Sequence, residues 1–274
     1  MKYIFRLILF LFSSSSLFAT NIQTLLNMQD KEISYCRYPV ETFVFKDTKE
    51  LNICSESTRE VINSLNGTYT YNFKIKNKIT YLEIKNSKVK KEFLVLLNED
   101  LIYLFEKGNK NIFWEGKRNF HSQGYYLFSE PDWLKNKQLS VSSELKEKDT
   151  VYGVQNLGTL ECGKPWVEGV KGNGKGEYIK NVISGGTIYI FSGFVDVDRP
   201  ELYLKNSRPK TLLIETDDKI FYAQLKDTPN PQAITIYEDI ERGKEYSIKI
   251  TIIDVYSGTK YEDTCINAIM GNSL

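Results

Sequence analysis

Trp166-Val167-Glu168-Gly169-Val170-Lys171-Gly172-Asn173-Gly174-Lys175-Gly176-Glu177-Tyr178-Ile179 is the stretch on which the fold turns. Gly169, Gly172, Gly174 and Gly176 stand between two short pieces of strand character. Glycine reaches positive φ at no steric cost, so this spacing predicts a tight surface loop between two strands. A GxGxG run can also cradle a phosphate, but that geometry needs a helix N-terminus behind the last glycine. Gly176 leads into Glu177-Tyr178-Ile179 instead, which is strand-like, and nucleotide binding is disfavoured.

Outward from this loop the chain reads as strands. Residues 187–191, 212–215, 220–225, 233–237 and 246–253 are β-branched or aromatic runs, and in the last of them Tyr246, Ile248, Ile250 and Ile252 share one face. Gly185-Gly186, Asp217-Asp218, Pro229-Asn230-Pro231 and Arg242-Gly243 punctuate them at the spacing of an all-β sandwich. Toward the N-terminus, Tyr69, Tyr71, Phe73 and Ile75 alternate with polar residues, as a half-buried strand requires. Asn77-Lys78 is a turn, and further strands are predicted at 80–85, 92–97, 101–106, 112–115 and 125–128. Their short connections imply an antiparallel meander. One or two short helices are expected before it, over 20–30 and after the capping box Ser57-Thr58-Arg59-Glu60.

The 274 residues suffice for two ordinary domains. Aromatic content of 13% with 26% charged residues fits a folded β-rich protein rather than a disordered one. The formal charge is +1, so no basic field exists to condense on phosphates and nucleic acid is disfavoured as a partner. Lys2 and Arg6, the apolar run Leu7 to Phe12, a serine run and Leu17-Phe18-Ala19 form an export signal, expected to be cleaved after Ala19. The apolar run falls short of the roughly 20 residues that span a bilayer. No later stretch is long and apolar enough to do so. Four cysteines, Cys36, Cys54, Cys162 and Cys265, remain in the exported chain, an even count that favours disulfides over a metal site. His121 is the only histidine, so a His-based zinc site cannot be assembled.

The glycine string resembles the WVEGxxGxGxGE signature of the NADase-type glycan-binding domain, a discoidin-like (galactose-binding-like) jelly roll. Ser140-Val141-Ser142-Ser143-Glu144-Leu145, Tyr152 with Asn156-Leu157, Phe191-Ser192-Gly193-Phe194, Asn206-Ser207-Arg208-Pro209-Lys210, Ile253-Asp254-Val255-Tyr256 and Tyr261-Glu262-Asp263-Thr264-Cys265-Ile266 follow the same pattern in order. The family is named after a bacterial toxin in which this domain accompanies a separate NAD-cleaving domain. Nothing here resembles that catalytic part. The resemblance covers 137–274 and implies a discoidin-like sandwich there, expected to fold alone; with the export signal at 1–19 and the β-meander with its one or two short helices over 20–136, the chain is expected to be all-β.

Related discoidin-like folds can hold a structural calcium between the loop before the tryptophan and the last strand. Here Thr159 and Ala268 stand where acids are usual, so neither metal nor cofactor is expected and stability is expected to be calcium-independent. Cys162 lies in that loop and Cys265 opens that strand. The resemblance therefore suggests a Cys162–Cys265 disulfide and, by remainder, a Cys36–Cys54 pair, with two other connectivities and a buried free Cys265 thiol left open.

The function implied is non-catalytic binding of carbohydrate by an exported protein, periplasmic or extracellular. Sugar sites combine aromatic faces with convergent polar groups, which sandwich-end loops can supply. The candidate loops are 170–175, 196–208 and 256–263, with Asp196, Asp198, Arg199, Tyr203, Asn206, Arg208, Tyr256 and Tyr261 as candidate glycan contacts. Trp166 reads as core, Glu168 as a receiver of loop N–H groups, Glu177 as part of the motif, and Arg208 with Asp254 as a structural pair. A protein-interaction or structural role, or service as the accessory domain of a secreted enzyme, is the alternative. Paired Glu99-Asp100 is the sort of carboxylate pair an enzyme would need, but adjacent turn carboxylates are generally solvated.

Overall fold

A computed structural model of the chain describes residues 33–35, 41–45, 50–55, 65–98, 101–109, 113–117, 125–127, 139–239, 241 and 244–272. The export segment at 1–19, both expected helices, Cys36, Glu99-Asp100 and His121 lie outside the described residues.

The first half closes on itself. Strands β1 (Ile33–Tyr35), β2 (Glu41–Phe45), β3 (Glu50–Ser55), β4 (Gly67–Lys76), β5 (Ile79–Lys85), β6 (Lys90–Leu97), β7 (Leu101–Glu106) and β8 (Phe113–Lys117) pair antiparallel in chain order. β8 then returns to β1, with Ser34 opposite Glu115 and Tyr35 opposite Trp114. The meander is thus an eight-stranded closed barrel, which leaves no free edge. Asn77 and Lys78 turn β4 into β5 with φ of 51° and 65°, the left-handed pair that matches the twist of a two-residue hairpin. Phe43, Tyr69, Leu82, Phe93, Val95, Ile102 and Leu104 fill the interior.

Strands β5 to β7 do not alternate in polarity, and the reason is structural. Leu82, Val95 and Leu104 point into the barrel, while Tyr81, Leu94, Leu96, Tyr103 and Phe105 point outward and are equally buried. A strand covered on both faces reads as a continuous apolar run. What covers the outer face is the second half of the chain.

That second half is a two-sheet sandwich. One sheet has the order β10 (Ser140–Val141), β14 (Tyr178–Ile183), β19 (Tyr246–Tyr256), β16 (Arg208–Thr216), β17 (Ile220–Gln224). The other runs β13 (Trp166–Val167), β20 (Cys265–Asn272), β15 (Thr187–Ser192), β18 (Gln232–Thr235). A small hairpin, β11 (Leu145–Glu147) with β12 (Thr150–Tyr152), a 3-10 turn at Val154–Gly158 and the short helix α1 (Glu201–Lys205) complete it. Between the sheets, Trp166, Ile179, Ile188, Leu212 and Ile266 pack with the Tyr246, Ile248, Ile250 and Ile252 stripe of β19.

The far side of the β15–β20 sheet is the docking face for the barrel. Tyr189, Phe191, Val195, Val197, Ala268 and Met270 pack on Ile79, Tyr81, Leu94, Leu96, Tyr103 and Phe105. The Tyr103 and Phe191 rings meet edge to face at 5.7 Å. Polar contacts complete the seam: Tyr81 Oη donates to the Val197 carbonyl at 3.1 Å, the Gly108 N–H to Asp198 at 3.0 Å and the Leu97 N–H to Asn230 at 3.2 Å. β9 (Tyr125–Leu127), expected as the last strand of the first domain, pairs with β20 instead, Leu127 opposite Met270.

The expected Cys162–Cys265 disulfide is absent. The two sulfurs are not joined, and both residues are buried. Cys162 belongs to the cluster under the barrel, whereas Cys265 packs with Val167 and Phe194 in a separate one, so the two sulfurs occupy different apolar environments. Burial pushes the Cys265 thiol well above its ordinary pKa, as befits an inert packing residue. The Cys36–Cys54 pairing rests on Cys36, outside the described residues.

Candidate functional site

The glycine loop is built around one carboxylate. Glu168 is fully buried; its Oε2 accepts the Val170 N–H at 2.9 Å and its Oε1 the Thr264 N–H at 3.1 Å. Burial raises its pKa, and those two N–H bonds oppose the rise in part. Gly174, at φ +67°, passes so close that a Cβ there would stand 2.5 Å from Glu168 Cγ. Gly169 has no room either, since its Cβ would meet the Glu144 carbonyl oxygen at 2.3 Å. Gly172 and Gly176 are needed for positive φ alone, having open space around them. Trp166 is fully buried and donates Nε1–H to the Ser143 carbonyl at 3.0 Å, and Glu177 accepts the Ser142 and Ser143 hydroxyls. The motif buckles the start of the domain to its end.

Six of the eight candidate glycan contacts are likewise committed to holding the fold. Asp196 is fully buried and accepts the N–H groups of Asp198 and Arg199 and the Arg199 Nε–H, the last at 2.9 Å. Asp198 receives the barrel's Gly108. Arg208 is 4% exposed and grips Asp227 with two parallel bonds, Nε to Oδ1 at 2.9 Å and Nη2 to Oδ2 at 3.0 Å. Its Nη1 donates to the carbonyls of Asn206 and Tyr203. Tyr203, fully buried, donates its hydroxyl to Asp227 at 3.1 Å, and the desolvation holds its pKa far above the ordinary phenol range. The Asn206 amide caps α1 on the Leu202 carbonyl. Asp227, not Asp254, is therefore the partner of Arg208.

Asp254 does something else. Lys175 Nζ lies 2.8 Å from its Oδ1 and Lys210 Nζ 2.9 Å from its Oδ2. These hydrogen bonds, Lys175's first, hold its carboxyl well below the usual carboxylate range. Lys210 also lies over the Tyr256 ring at 5.9 Å, and Tyr256 Oη donates to the Leu225 carbonyl at 3.0 Å, which fixes the ring. Thr264 Oγ1 donates to the Asn173 carbonyl at 2.8 Å, tying the glycine loop to the segment after β19. On that segment Tyr261 is exposed, with Lys260 Nζ 4.9 Å from its ring centre. Lys175, Lys210, Asp254 and Tyr256 thus converge as two donors, an acceptor and a ring. The sequence marks Tyr256 and the loop bearing Lys175 as candidates; Lys210 stands in it only as part of a strand motif, and Asp254 as the expected partner of Arg208.

Among the described residues, no group of His, Cys, Asp and Glu could hold a metal ion. The segment in which a related domain could place calcium ligands is taken up by packing: Leu160, Cys162 and Ala268 belong to the apolar cluster against the barrel, and Thr159 Oγ1 donates to the Asn156 carbonyl at 3.2 Å. No described helix is long and apolar enough to cross a membrane.

Among solved structures, the mycobacterial arabinofuranosyltransferase AftD matches 54% of this chain with 10% of its own length at 12% identity and a TM-score of 0.33. A Paenibacillus xanthan lyase matches 95% of this chain with 26% of its own at 8% identity and a TM-score of 0.28. The chain thus spans a minor part of either protein, and such scores carry no argument about its function. No curated protein matches it. The model of the NAD glycohydrolase translocation F5/8 type C domain matches residues 133–272, just over half of the chain and the whole of the sandwich described above. The chain belongs to that family of discoidin-like domains.

Proposed function

We propose that this is an exported carbohydrate-binding protein without a catalytic centre of its own, which takes its sugar at the end of the sandwich where Lys175, Lys210, Asp254 and Tyr256 converge. The family supports a binding or accessory domain, and the 1–19 segment supports export. The observation that carries the choice of site is the sharing of Asp254 between two partly exposed lysines beside a fixed tyrosine ring. Vicinal sugar hydroxyls donate and accept at once, and a carboxylate flanked by ammonium groups answers both needs. The tyrosine ring offers an apolar face to the C–H side of a pyranose.

The test is an immobilised glycan panel probed with residues 20–274 and with the Asp254→Asn and Tyr256→Ala variants. Retention of the parent on a defined set of saccharides, lost in both variants, is the expected result. No retention by the parent on any saccharide would remove the reading.

A further inference from the structure

The outer face of the β10-β14-β19-β16-β17 sheet lies on the side of the sandwich away from the sheet that docks on the barrel. Strand register defines what it presents. Tyr178, Thr251, Leu213 and Tyr222 stand side by side across four strands, and beside them Lys180, Lys249, Glu215 and Ile220 form a second row, with Ser140 next to Lys180. At about 4.8 Å between strands, each row extends for about 14 Å. Tyr222 is 65% exposed and Ile220 67%, more than any other large apolar side chain described.

The second row borders a groove of about 600 Å³ lined by Ser140, Lys180, Glu215, Asp217, Ser247 and Lys249, a size common for small-molecule sites. Two ammonium groups face two carboxylates there, so the groove has no net charge but is dense in donors and acceptors. Lys249 Nζ lies 2.7 Å from Glu215, and the Nζ atoms of Lys180 and Lys249 each lie 5.2 Å from the centre of the Tyr178 ring.

We infer that this groove is a second saccharide subsite, for a neutral oligosaccharide that lies along the Tyr178–Tyr222 row and places hydroxyls between the paired charges. A balanced set of charges gives an anion no net attraction, whereas a polyhydroxyl ligand uses both signs; the neighbouring tyrosines supply the apolar faces that flat sugar rings need. The subsite is separate from the Asp254 cluster, though its ligand class rests on the carbohydrate reading of the domain.

The experiment is titration calorimetry of residues 20–274 with neutral tetrasaccharides of glucose, mannose and N-acetylglucosamine, and with a tetra-uronate of equal length. Two binding events per chain are expected for one of the neutral ligands. Lys180→Ala and Asp217→Asn, both at exposed positions that spare the fold, should each weaken one event about ten-fold, the size of a charge-assisted hydrogen bond, as should Tyr178→Ala. If Lys210→Ala abolishes all neutral binding and the groove variants change nothing, the subsite falls while the carbohydrate reading stands. Uronate binding in place of neutral binding overturns the ligand class. Binding of none of the four overturns subsite and reading together.

Discussion

Lys78 and Asp227 join the two halves of the chain: the ammonium at the β4–β5 turn lies 2.6 Å from the carboxylate in the loop after β17. The same carboxylate is gripped by Arg208 and receives the Tyr203 hydroxyl. Desolvation works to raise the Asp227 pKa, but the hydrogen bonds of Arg208 and Lys78 outweigh it and the net shift is downward. A carboxyl held lower in the folded state contributes stability above its unfolded pKa of about 3.9 and loses it as pH falls through the folded value. Asp227→Asn should therefore be less stable at neutral pH and should lose less on further acidification below about pH 4. Melting temperatures of both proteins from pH 7 to 2.5 check this, and parallel curves would contradict it.

Arg208 is the more demanding half of that arrangement. With 4% exposure and four hydrogen bonds from one guanidinium, its loss leaves a part-buried Asp227 and two carbonyls short of donors. Arg208→Ala should cost about 3–5 kcal/mol by urea denaturation. Arg208→Lys should recover little, because an ammonium cannot make the two parallel bonds. A cost below about 1 kcal/mol would mean that Lys78 and Tyr203 suffice for Asp227.

The docking face bears on domain independence. A fragment of residues 137–274 would leave Tyr189, Phe191, Val195, Val197 and Met270 facing water, together with the edge of β20 that β9 covers. At about 1.5–3 kcal/mol for each large apolar side chain, the loss is on the order of 10 kcal/mol, comparable to the whole stability of a domain. The fragment is expected to aggregate or to melt well below the full chain, the reverse of what motif boundaries suggest. A fragment with an undiminished melting temperature would contradict the shared core.

How much of this was legible follows from what each pattern encodes. The β19 stripe from Tyr246 to Ile252 is a period-two signal of one buried face, and the structure places it in the sandwich core. Asn77-Lys78 is a local turn signal and it holds. Barrel closure was not legible, because β1 with β8 is a pairing between distant strands that leaves no local trace. The runs Phe93 to Leu97 and Leu101 to Phe105 did carry a clue: unbroken apolarity meant cover on both faces, hence a partner outside the barrel. Asp196, Tyr203 and Arg208 fit a sugar site by residue type alone; only burial reveals them as internal ligands of the fold. Asp227 stands in an unremarkable loop sequence, Lys226-Asp227-Thr228, and nothing marks it as the partner of Arg208.

The glycine loop separates two costs of substitution. Gly172→Ala meets strain but no neighbour, since its φ is +108° with open space around it, and should cost roughly 1–2 kcal/mol. Gly174→Ala adds a clash with the buried Glu168 side chain and should cost more by the same measurement. Equal costs would show that Glu168 can move aside freely.

The dissociation constant of residues 20–274 for the best saccharide of the glycan panel, measured beside that of Lys210→Ala, tests the central claim most directly. Lys210 is partly exposed and its charge meets Asp254 and the Tyr256 ring, so its removal should leave the melting temperature nearly unchanged. The account predicts at least about ten-fold weaker binding at unchanged stability. Equal affinity in the two proteins would contradict it and move carbohydrate recognition away from the Asp254 cluster.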